Sequence, residues 1–399
     1  MGSSPSPRPF VTRVQLKNYR SIEACDVELG ALAFLVGANG SGKSNFLDAL
    51  RLIRDALNSS LELALRARGG LGEVRRRSVG HPRNLGIRID FQLEEHGTGH
   101  LAFEIAARKD GEYVVARETC RLGPAFYVVK EGEVTSTTMS VRPPAMNDRL
   151  YLPNAAGITE FRPVYDALLN LGFYCINPEV VRELQQPDKG DVLTRDGRNL
   201  AAVIDRLRRT KADAALDRIQ AYLEKVVPGV TGFHSKRIAS METVEFLQSV
   251  QGVSDPWRFL AGNMSDGTLR VLAILVALFQ DGGKSRTRLV GLEEPETALH
   301  PAAAGLLRDC IVEASAHTQV IVTSHSADLL DNQELPPDSI FAVEAHLGKS
   351  TITRIGEATR SILRDRLFTA GELLRSGQLE QDPSQIPEPE QLHLFRDVP

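Results

Sequence analysis

The segment Gly37–Ser44 constrains the fold of this chain more than any other stretch of its sequence. It reads GANGSGKS and fits the pattern G-x-x-x-x-G-K-[ST]. The apolar run Leu32–Val36 precedes it and an amphipathic pattern follows it, so the segment is predicted to join a buried strand to a helix. There the glycines let the backbone wrap a triphosphate with its N–H groups facing inward. A chance glycine-rich turn is the alternative, and the flanking pattern argues against it.

This P-loop (Gly37–Ser44) predicts how a nucleotide is held. Lys43 is expected to reach the β- and γ-phosphate oxygens and Ser44 to hold Mg²⁺, so ATP and Mg²⁺ are the predicted cofactors. The residues predicted to bind the nucleotide at this end are Gly37, Ala38, Asn39, Gly40, Ser41, Gly42, Lys43, Ser44 and Asn45.

Two acids and a histidine follow later apolar runs. Glu293 and Glu294 end the run Leu289–Leu292, and His325 ends the run QVIVTS. Phosphoryl transfer needs an acid on the metal side and a group that orients water. Glu293 is therefore predicted to contact Mg²⁺, Glu294 to act as general base, and His325 to sense the γ-phosphate at a strand's carboxyl end. Exposed strand-end acids and a structural histidine remain the alternatives.

A second helix start is also suited to anions. In Met264–Gly267, Ser265 or Asp266 can cap free N–H groups, Gly267 permits close approach, and an apolar helix follows. Free N–H groups and the helix dipole both attract negative charge there. An ordinary capped core helix is the alternative reading of this signature turn (Met264–Gly267).

Composition excludes several classes of protein. The 399 residues are 42% apolar and 25% charged, which is ordinary for a globular chain, and the net charge of −4 excludes a wholly basic surface. The longest apolar run, Val271–Phe279, is too short to cross a bilayer, and the first residues do not form a signal peptide. A cytoplasmic protein without a membrane partner is expected. No two cysteines lie close together in the sequence, which excludes a zinc knuckle and a CxxC redox pair. The cysteines are Cys25, Cys120, Cys175 and Cys310.

The order of these motifs resembles the ABC-type ATPase heads of the RecF and SMC kind. Four segments are closer still to the RecF-like and OLD-like AAA ATPases of bacteria, many of which act in genome maintenance and anti-phage defence. These are LKNYRSIEACDVEL, LTRDGRNLAAVIDRL, EEPETALHP and IVTSHSADLLD. The resemblance covers about residues 10–378. It implies an α/β P-loop NTPase of ABC type with a mostly parallel core sheet, an antiparallel β subdomain and a helical insertion.

The resemblance also implies domains. Residues 1–145 are expected to form an N-terminal ATPase lobe with the P-loop and β subdomain, and 146–240 a mainly helical insertion. Residues 241–378 are expected to form the C-terminal lobe with the signature turn, the acids and His325. The proline-rich, acidic residues 379–399 are expected to be a disordered tail.

In heads of this kind two copies sandwich two ATPs, so Ser265 and Gly267 are expected to cap ATP bound by the partner's P-loop. The turn reads NMSDG where transporters have LSGGQ, and Glu293 stands where aspartate is more usual. Such heads also place a glutamine on the metal. Gln92, which follows a strand, is the candidate for this residue.

Too few residues follow His325 for the metal-binding Toprim domain of OLD-type nucleases, and no long heptad repeat predicts an SMC arm. A separately encoded nuclease or toxin is therefore one expected partner. DNA is another, through the basic stretch 66–83, although a solvated loop is the equal alternative. Its arginines are Arg66, Arg68, Arg75, Arg76, Arg77 and Arg83.

The end of the chain resembles the QLxLF peptide with which bacterial proteins dock on the sliding clamp. The matching residues are Gln391, Leu392, Leu394 and Phe395. The alternative is that these apolar side chains fold back onto the ATPase.

Together these features predict an ATPase that dimerises on ATP and acts as a switch in DNA maintenance or anti-phage defence. A RecF-like factor acting directly on DNA at the clamp is a second possibility. A nucleotide-binding scaffold with negligible turnover is a third, against which Glu294 and His325 argue.

Overall fold

The computed structural model describes residues 9–78, 84–280, 287–297 and 299–396. Apolar alternation and short buried runs become strands in it, as the patterns predict. The strands are β1 Val11–Tyr19, β2 Ile22–Glu28, β3 Leu32–Val36, β4 Asn84–Leu93, β5 Gly97–Ala107, β6 Tyr113–Leu122, β7 Ala125–Lys130, β8 Glu133–Thr137, β9 Leu171–Tyr174, β10 Val230–Ile238, β11 Met241–Gln248, β12 Trp257–Leu260, β13 Leu289–Glu293, β14 Gln319–Ser324, β15 Ile340–His346 and β16 Lys349–Arg354.

Helices separate many of these strands. They are α1 Lys43–Asn58, α2 Leu61–Arg66, α3 Leu71–Val74, α4 Leu152–Ala155, α5 Arg162–Leu169, α6 Pro178–Arg182, α7 Leu200–Arg209, α8 Asp213–Val226, α9 Asp266–Phe279, α10 Pro301–Ser315, α11 Glu357–Arg364 and α12 Ala370–Arg375. Within the described segments, no helix is long and apolar enough to cross a membrane.

The chain divides into two compact units. The first contains residues 1–171, 336–367 and 377–399, and the second contains residues 172–335 and 368–376. The predicted α/β class is confirmed: a large mixed sheet and a small antiparallel sheet are combined with helices.

In the first unit the sheet has the strand order β8-β7-β6-β5-β4-β1-β2-β16-β15-β3. From β8 to β2 each neighbouring pair is antiparallel, whereas β15 pairs with β3 in parallel. All five residues of β3 are buried, as expected for a strand covered on both faces. The P-loop therefore starts from the most buried strand of this unit.

In the second unit β13 pairs in parallel with β14, with Glu293 opposite Thr323, and β9 lies on the other side of β13. Parallel strands end at the same edge, so the acids and His325 emerge together. Helix α9 is buried along nearly its whole length because it is apolar on all sides. Strands β10, β11 and β12 form the separate antiparallel sheet.

The C-terminal segment is ordered, so the prediction of a disordered tail from residue 379 is wrong for the described residues. Gln381 pairs with Ile355 and its side-chain amide donates to the carbonyls of Ala342 and Thr351. Leu392 and Leu394 are only 5% and 3% exposed. The polar composition suggests disorder, but these leucines bury enough apolar surface to hold the segment in place. Residues 397–399 lie outside the described part.

Candidate nucleotide-binding site

The backbone of the P-loop requires its glycines. Gly40 and Gly42 have φ angles of 78° and 103°, which side chains with a Cβ rarely adopt. A Cβ on Gly37 would lie 2.0 Å from the carbonyl oxygen of Val343 on β15. The motif is therefore needed for the shape of the loop as well as for any ligand that it holds.

Lys43 lies inside its own loop. Its side chain is buried, and Nζ donates to the carbonyl oxygens of Gly37 and Ala38, both at 2.9 Å. The neighbouring Ser41 Oγ is buried without a hydrogen-bond partner. A buried ammonium and an unsatisfied hydroxyl suit a phosphate. Ser44 is exposed at the start of α1, where its hydroxyl is a hard oxygen donor of the kind that Mg²⁺ prefers.

An ion-pair cluster anchors α1 behind the loop. Asp48 accepts from Arg51 and Arg68, pairs with Arg20 at 2.9 Å, and accepts from the Tyr19 hydroxyl at 2.8 Å. Burial raises the pKa of Asp48, but the three guanidinium groups outweigh it and hold the pKa below its ordinary value. Because the acid is nine-tenths buried, the cluster fixes the helix that carries Lys43.

This cluster corrects part of the predicted DNA surface. The Arg68 side chain is 3% exposed, so it is a structural residue and is not available to DNA. Arg76 donates to the carbonyls of Ser21 and Gly348, and Arg77 pairs with Glu73. The Arg68 and Arg76 side chains thus lie against the protein, which a linear run of arginines does not reveal, whereas the Arg77 side chain stays 73% exposed. Arg66 is exposed, and the backbone of Arg75 forms an isolated antiparallel β-bridge with Tyr19. Arg83 lies outside the described residues.

In the second unit, Glu293 is the last residue of β13 and Glu294 is the first residue after it. Glu294 has a φ of 41°, a left-handed value uncommon for a residue with a side chain, and its N–H donates to Thr323 O at 2.9 Å. Glu293 stays in the strand, and its carboxylate accepts from Arg195 Nη2 at 2.8 Å. Such backbone strain clusters at functional sites. The two adjacent acids are thus given separate environments.

His325 lies beside Glu294, as the strand order predicts. Its Nδ1 is 3.6 Å from Glu294 Oε1 and 4.0 Å from Glu296 Oε1. Glu296 was missed from the sequence. It is 7% exposed, Oε1 accepts from Ser324 Oγ at 2.5 Å, and Oε2 is buried without a partner. The third acid of EEPE was the available signal, but only the fold shows that it faces the histidine.

Glu296→Gln is expected to lower turnover about 10- to 100-fold, as loss of a group that orients a reacting residue does. The amide keeps an acceptor for Ser324 but removes the negative charge next to His325. Nucleotide affinity should stay within about twofold, because the variant leaves the P-loop intact. Steady-state hydrolysis and nucleotide titration measure the two effects, with Glu334→Gln, an exposed acid of the same unit, as control. Equal turnover in both variants would assign Glu296 to structure alone.

The signature turn forms a capped helix start, as predicted. Ser265 Oγ accepts from Thr268 N at 3.2 Å, and Ser265 and Asp266 are both exposed. Arg182 of α6 pairs with Asp266 and donates to Met264 O at 3.2 Å. The sequence did not predict a role for Arg182, which fixes the turn by holding one backbone carbonyl and one carboxylate of it. The start of α9 is therefore held in a defined conformation with Ser265 and Asp266 exposed, and a helix start of this kind suits an external anion.

Gln92 is not brought to the P-loop, so its prediction as a metal ligand is wrong. It lies near the end of β4, and β1, β2, β16 and β15 separate β4 from β3. Following the pair directions across the sheet, β4 runs opposite to β3. Gln92 therefore lies at the edge of the sheet opposite to the P-loop. A glutamine after a strand was not enough, since the sequence does not give strand order.

The C-terminal peptide occupies the first unit's sheet. Leu394 fits over Gly86, where a Cβ would come within 2.2 Å of Leu394 Cδ1. Arg88 Nη1 donates to the carbonyls of Leu394 and Arg396, both at 3.0 Å, and the Arg117 guanidinium lies 4.5 Å from the Phe395 ring centre. Folding back, the alternative to clamp docking, is therefore the arrangement found. Docking on a clamp would first require release of this segment.

Gly86→Val is expected to release the peptide. Valine favours a strand, so β4 should remain, whereas its side chain occupies the space of Leu394. Cleavage of the tail by chymotrypsin should become about tenfold faster or more, as expected from losing one buried leucine. Leu394→Ala should act in the same direction by a different route. A tail as resistant in Gly86→Val as in the wild type would contradict this account of its anchoring. If the clamp binds the peptide, both variants should also bind it better than the wild type.

Part of the chain matches a known family model. A family model described as "AAA domain, putative AbiEii toxin, Type IV TA system" matches residues 32–114 and 244–331. These segments contain the P-loop, the signature turn, both acids and His325. No curated protein matches the chain.

Two solved structures share the fold. One is an SMC head bound to the C-terminal winged-helix domain of ScpA: 14% identical, covering 88% of this chain and 99% of that one, with a TM-score of 0.57. The other is the Smc head from Pyrococcus furiosus with an extended coiled coil, bound to the C-terminal domain of ScpA: 12% identical, covering 90% and 99%, with a TM-score of 0.53. At such identities the likeness concerns the fold. The chain therefore shares the fold of SMC head domains, and over residues 32–114 and 244–331 it resembles the AAA-domain family.

Proposed function

We propose that the protein binds and hydrolyses Mg²⁺–ATP as a dimer-forming switch. The observation that supports this most is the exposed, capped helix start at Ser265–Gly267, which lies in a different unit from the P-loop. A helix end of this kind is suited to phosphate. A chain with one P-loop and one further phosphate-binding helix end can use both when two copies face each other across bound ATP.

Each residue then has a defined task. Lys43 and the P-loop N–H groups bind the phosphates, while Ser44 and Glu293 provide hard oxygen ligands for Mg²⁺. When bound, the metal neutralises phosphate charge. Glu294 takes a proton from the attacking water, and His325, held beside it, contacts the γ-phosphate. Ser265 and Gly267 donate to the ATP of the partner copy.

A separately encoded effector is the partner best supported. The two similar SMC heads are bound to a protein, ScpA, and the matching family description places its own AAA domain in a toxin–antitoxin system. We propose by analogy that the ATP state of this dimer holds or releases a nuclease or toxin. Direct action on DNA is less supported, because Arg68 and Arg76 are engaged within the protein and the exposed Arg77 is paired with Glu73.

Steady-state hydrolysis over a series of protein concentrations, with and without duplex DNA, tests the proposal. Turnover per subunit should rise with concentration, because only the dimer completes each site. DNA should leave the rate unchanged if the partner is a protein effector. A rate raised by DNA and lowered by salt would favour the RecF-like alternative instead. No hydrolysis at any concentration would favour the scaffold.

A further inference from the structure

Arg195 occupies the carboxylate to which the proposed function assigns the metal. Its Nη2 is 2.8 Å from Glu293 Oε1, and the Glu293 side chain is only 15% exposed. A carboxylate oxygen that binds Mg²⁺ does so at about 2.0–2.1 Å. Metal and arginine both bring positive charge to the same carboxylate, so each weakens the binding of the other.

The backbone that carries Arg195 is fixed. Cys175 N donates to Arg195 O at 2.9 Å, just beyond β9. Thr194 N donates to Asn199 Oδ1 at 2.8 Å, and Asn199 Nδ2 donates to Val192 O at 3.0 Å. Asn199 is 4% exposed, so this arrangement is held within the unit. Arg195 can therefore leave Glu293 by rotation of its side chain, which is 43% exposed.

Four charged side chains act on the neighbouring thiol of Cys175. Burial raises the pKa of the Cys175 thiol, Glu293 and Glu294 raise it further, and Arg195 and Arg270 lower it. All four charged groups thus act at one thiol beside the strand end. Adding a divalent cation there while Arg195 stays on Glu293 would bring like charges together at short range.

Resting on the proposed function, we infer that Arg195 is a displaceable occupant of the metal carboxylate. It pairs with Glu293 in the structure, would rotate away when Mg²⁺ binds with the nucleotide, and would thereby set the Mg²⁺ concentration at which the site loads. Arg195 is a positioning residue in this role, since it acts on the metal through Glu293.

The test is Mg²⁺-dependent binding of a fluorescent ATP analogue, together with Mn²⁺ binding followed by electron paramagnetic resonance. Neither measurement needs turnover. For Arg195→Ala, the half-saturating metal concentration should fall about three- to tenfold, the effect expected from removing one partly exposed charged competitor. Arg195→Lys keeps a cation and should remain within about twofold of the wild type. Arg198→Ala, which removes an exposed arginine of the same segment paired with Asp196, is the matched control.

The outcomes separate this inference from the function on which it rests. An unchanged or higher metal requirement in Arg195→Ala, with normal metal-dependent binding in the wild type, would overturn the inference and leave the proposed function standing. If the nucleotide affinity of the wild-type protein does not change with Mg²⁺ concentration, both the inference and the proposed function are overturned. A merely structural role would lower the melting temperature without metal and leave the half-saturating concentration unchanged, which also counts against the inference.

Discussion

Glu294→Gln is expected to bind ATP as tightly as the wild type while its turnover falls about 10²- to 10⁴-fold, the contribution usual for a general base. Glutamine has nearly the shape of glutamate but cannot accept a proton from water. The left-handed backbone at residue 294 and the donor bond from its N–H to Thr323 O do not depend on the side-chain charge. The substitution should therefore remove chemistry without removing the site.

A second consequence follows from slow hydrolysis. If ATP holds two copies together, Glu294→Gln should accumulate as a dimer in ATP, and light scattering on a sizing column measures this. Glu334→Gln should hydrolyse normally and stay in the wild-type distribution. Wild-type turnover in Glu294→Gln would refute the assignment of the base, and slow turnover without an ATP-dependent dimer would contradict the switch.

Lys43→Ala is expected to weaken ATP binding about 10- to 150-fold, the loss that corresponds to one or more hydrogen bonds to a charged group. In the structure, Nζ is held by the carbonyls of Gly37 and Ala38, so the ammonium is already at the loop. Phosphate oxygens can replace these carbonyls without a large movement of the chain. Titration with a fluorescent ATP analogue gives the affinity directly.

Two controls make the lysine result specific. Lys130→Ala removes an exposed lysine from β7 in the same unit and should bind ATP like the wild type. Lys43→Arg keeps the charge in a larger group and should recover only part of the affinity. If Lys43→Ala binds ATP within about twofold of the wild type, the P-loop does not hold the phosphates as proposed.

Local patterns predicted the parts of the fold that depend on neighbours in sequence. Leu32–Val36 is apolar throughout and became the buried strand β3, and Gly40 and Gly42 of GANGSGKS took the positive φ angles that the loop needs. Ser265 caps α9 as its residue type suggests. In each case the determining interactions span only a few residues.

Features that depend on distant residues were not predictable in this way. Arg68 reads as a surface arginine until Asp48, on helix α1, is placed beside it. Gln92 reads as a strand-end ligand until strand order puts it at the far edge of its sheet. The C-terminal leucines become buried because Gly86 leaves a space for one of them. Sequence spacing carries none of this information, since partners are chosen by topology.

The site was predicted in outline, and its supporting residues were not. The roles of Lys43, Glu293, Glu294 and His325 stay predictions, although the structure places the last three at one strand edge. Glu296 and Arg195 emerged only from distances. Both lie next to predicted residues, but the sequence did not reveal them. Orienting groups are recognised by their geometry and not by a sequence motif.

The measurement that tests the account most directly is activity after mixing two inactive variants. The Lys43→Ala variant cannot hold ATP in its own P-loop. In the Ser265→Arg variant, the arginine blocks the signature turn that would contact the partner's ATP. In a mixed dimer, the intact P-loop of one copy meets the intact signature turn of the other, so equal mixing should restore about a quarter of wild-type turnover for independent sites. Restored hydrolysis that grows with protein concentration is the predicted result. No recovery at concentrations where the wild type is fully active would contradict a site shared between two copies.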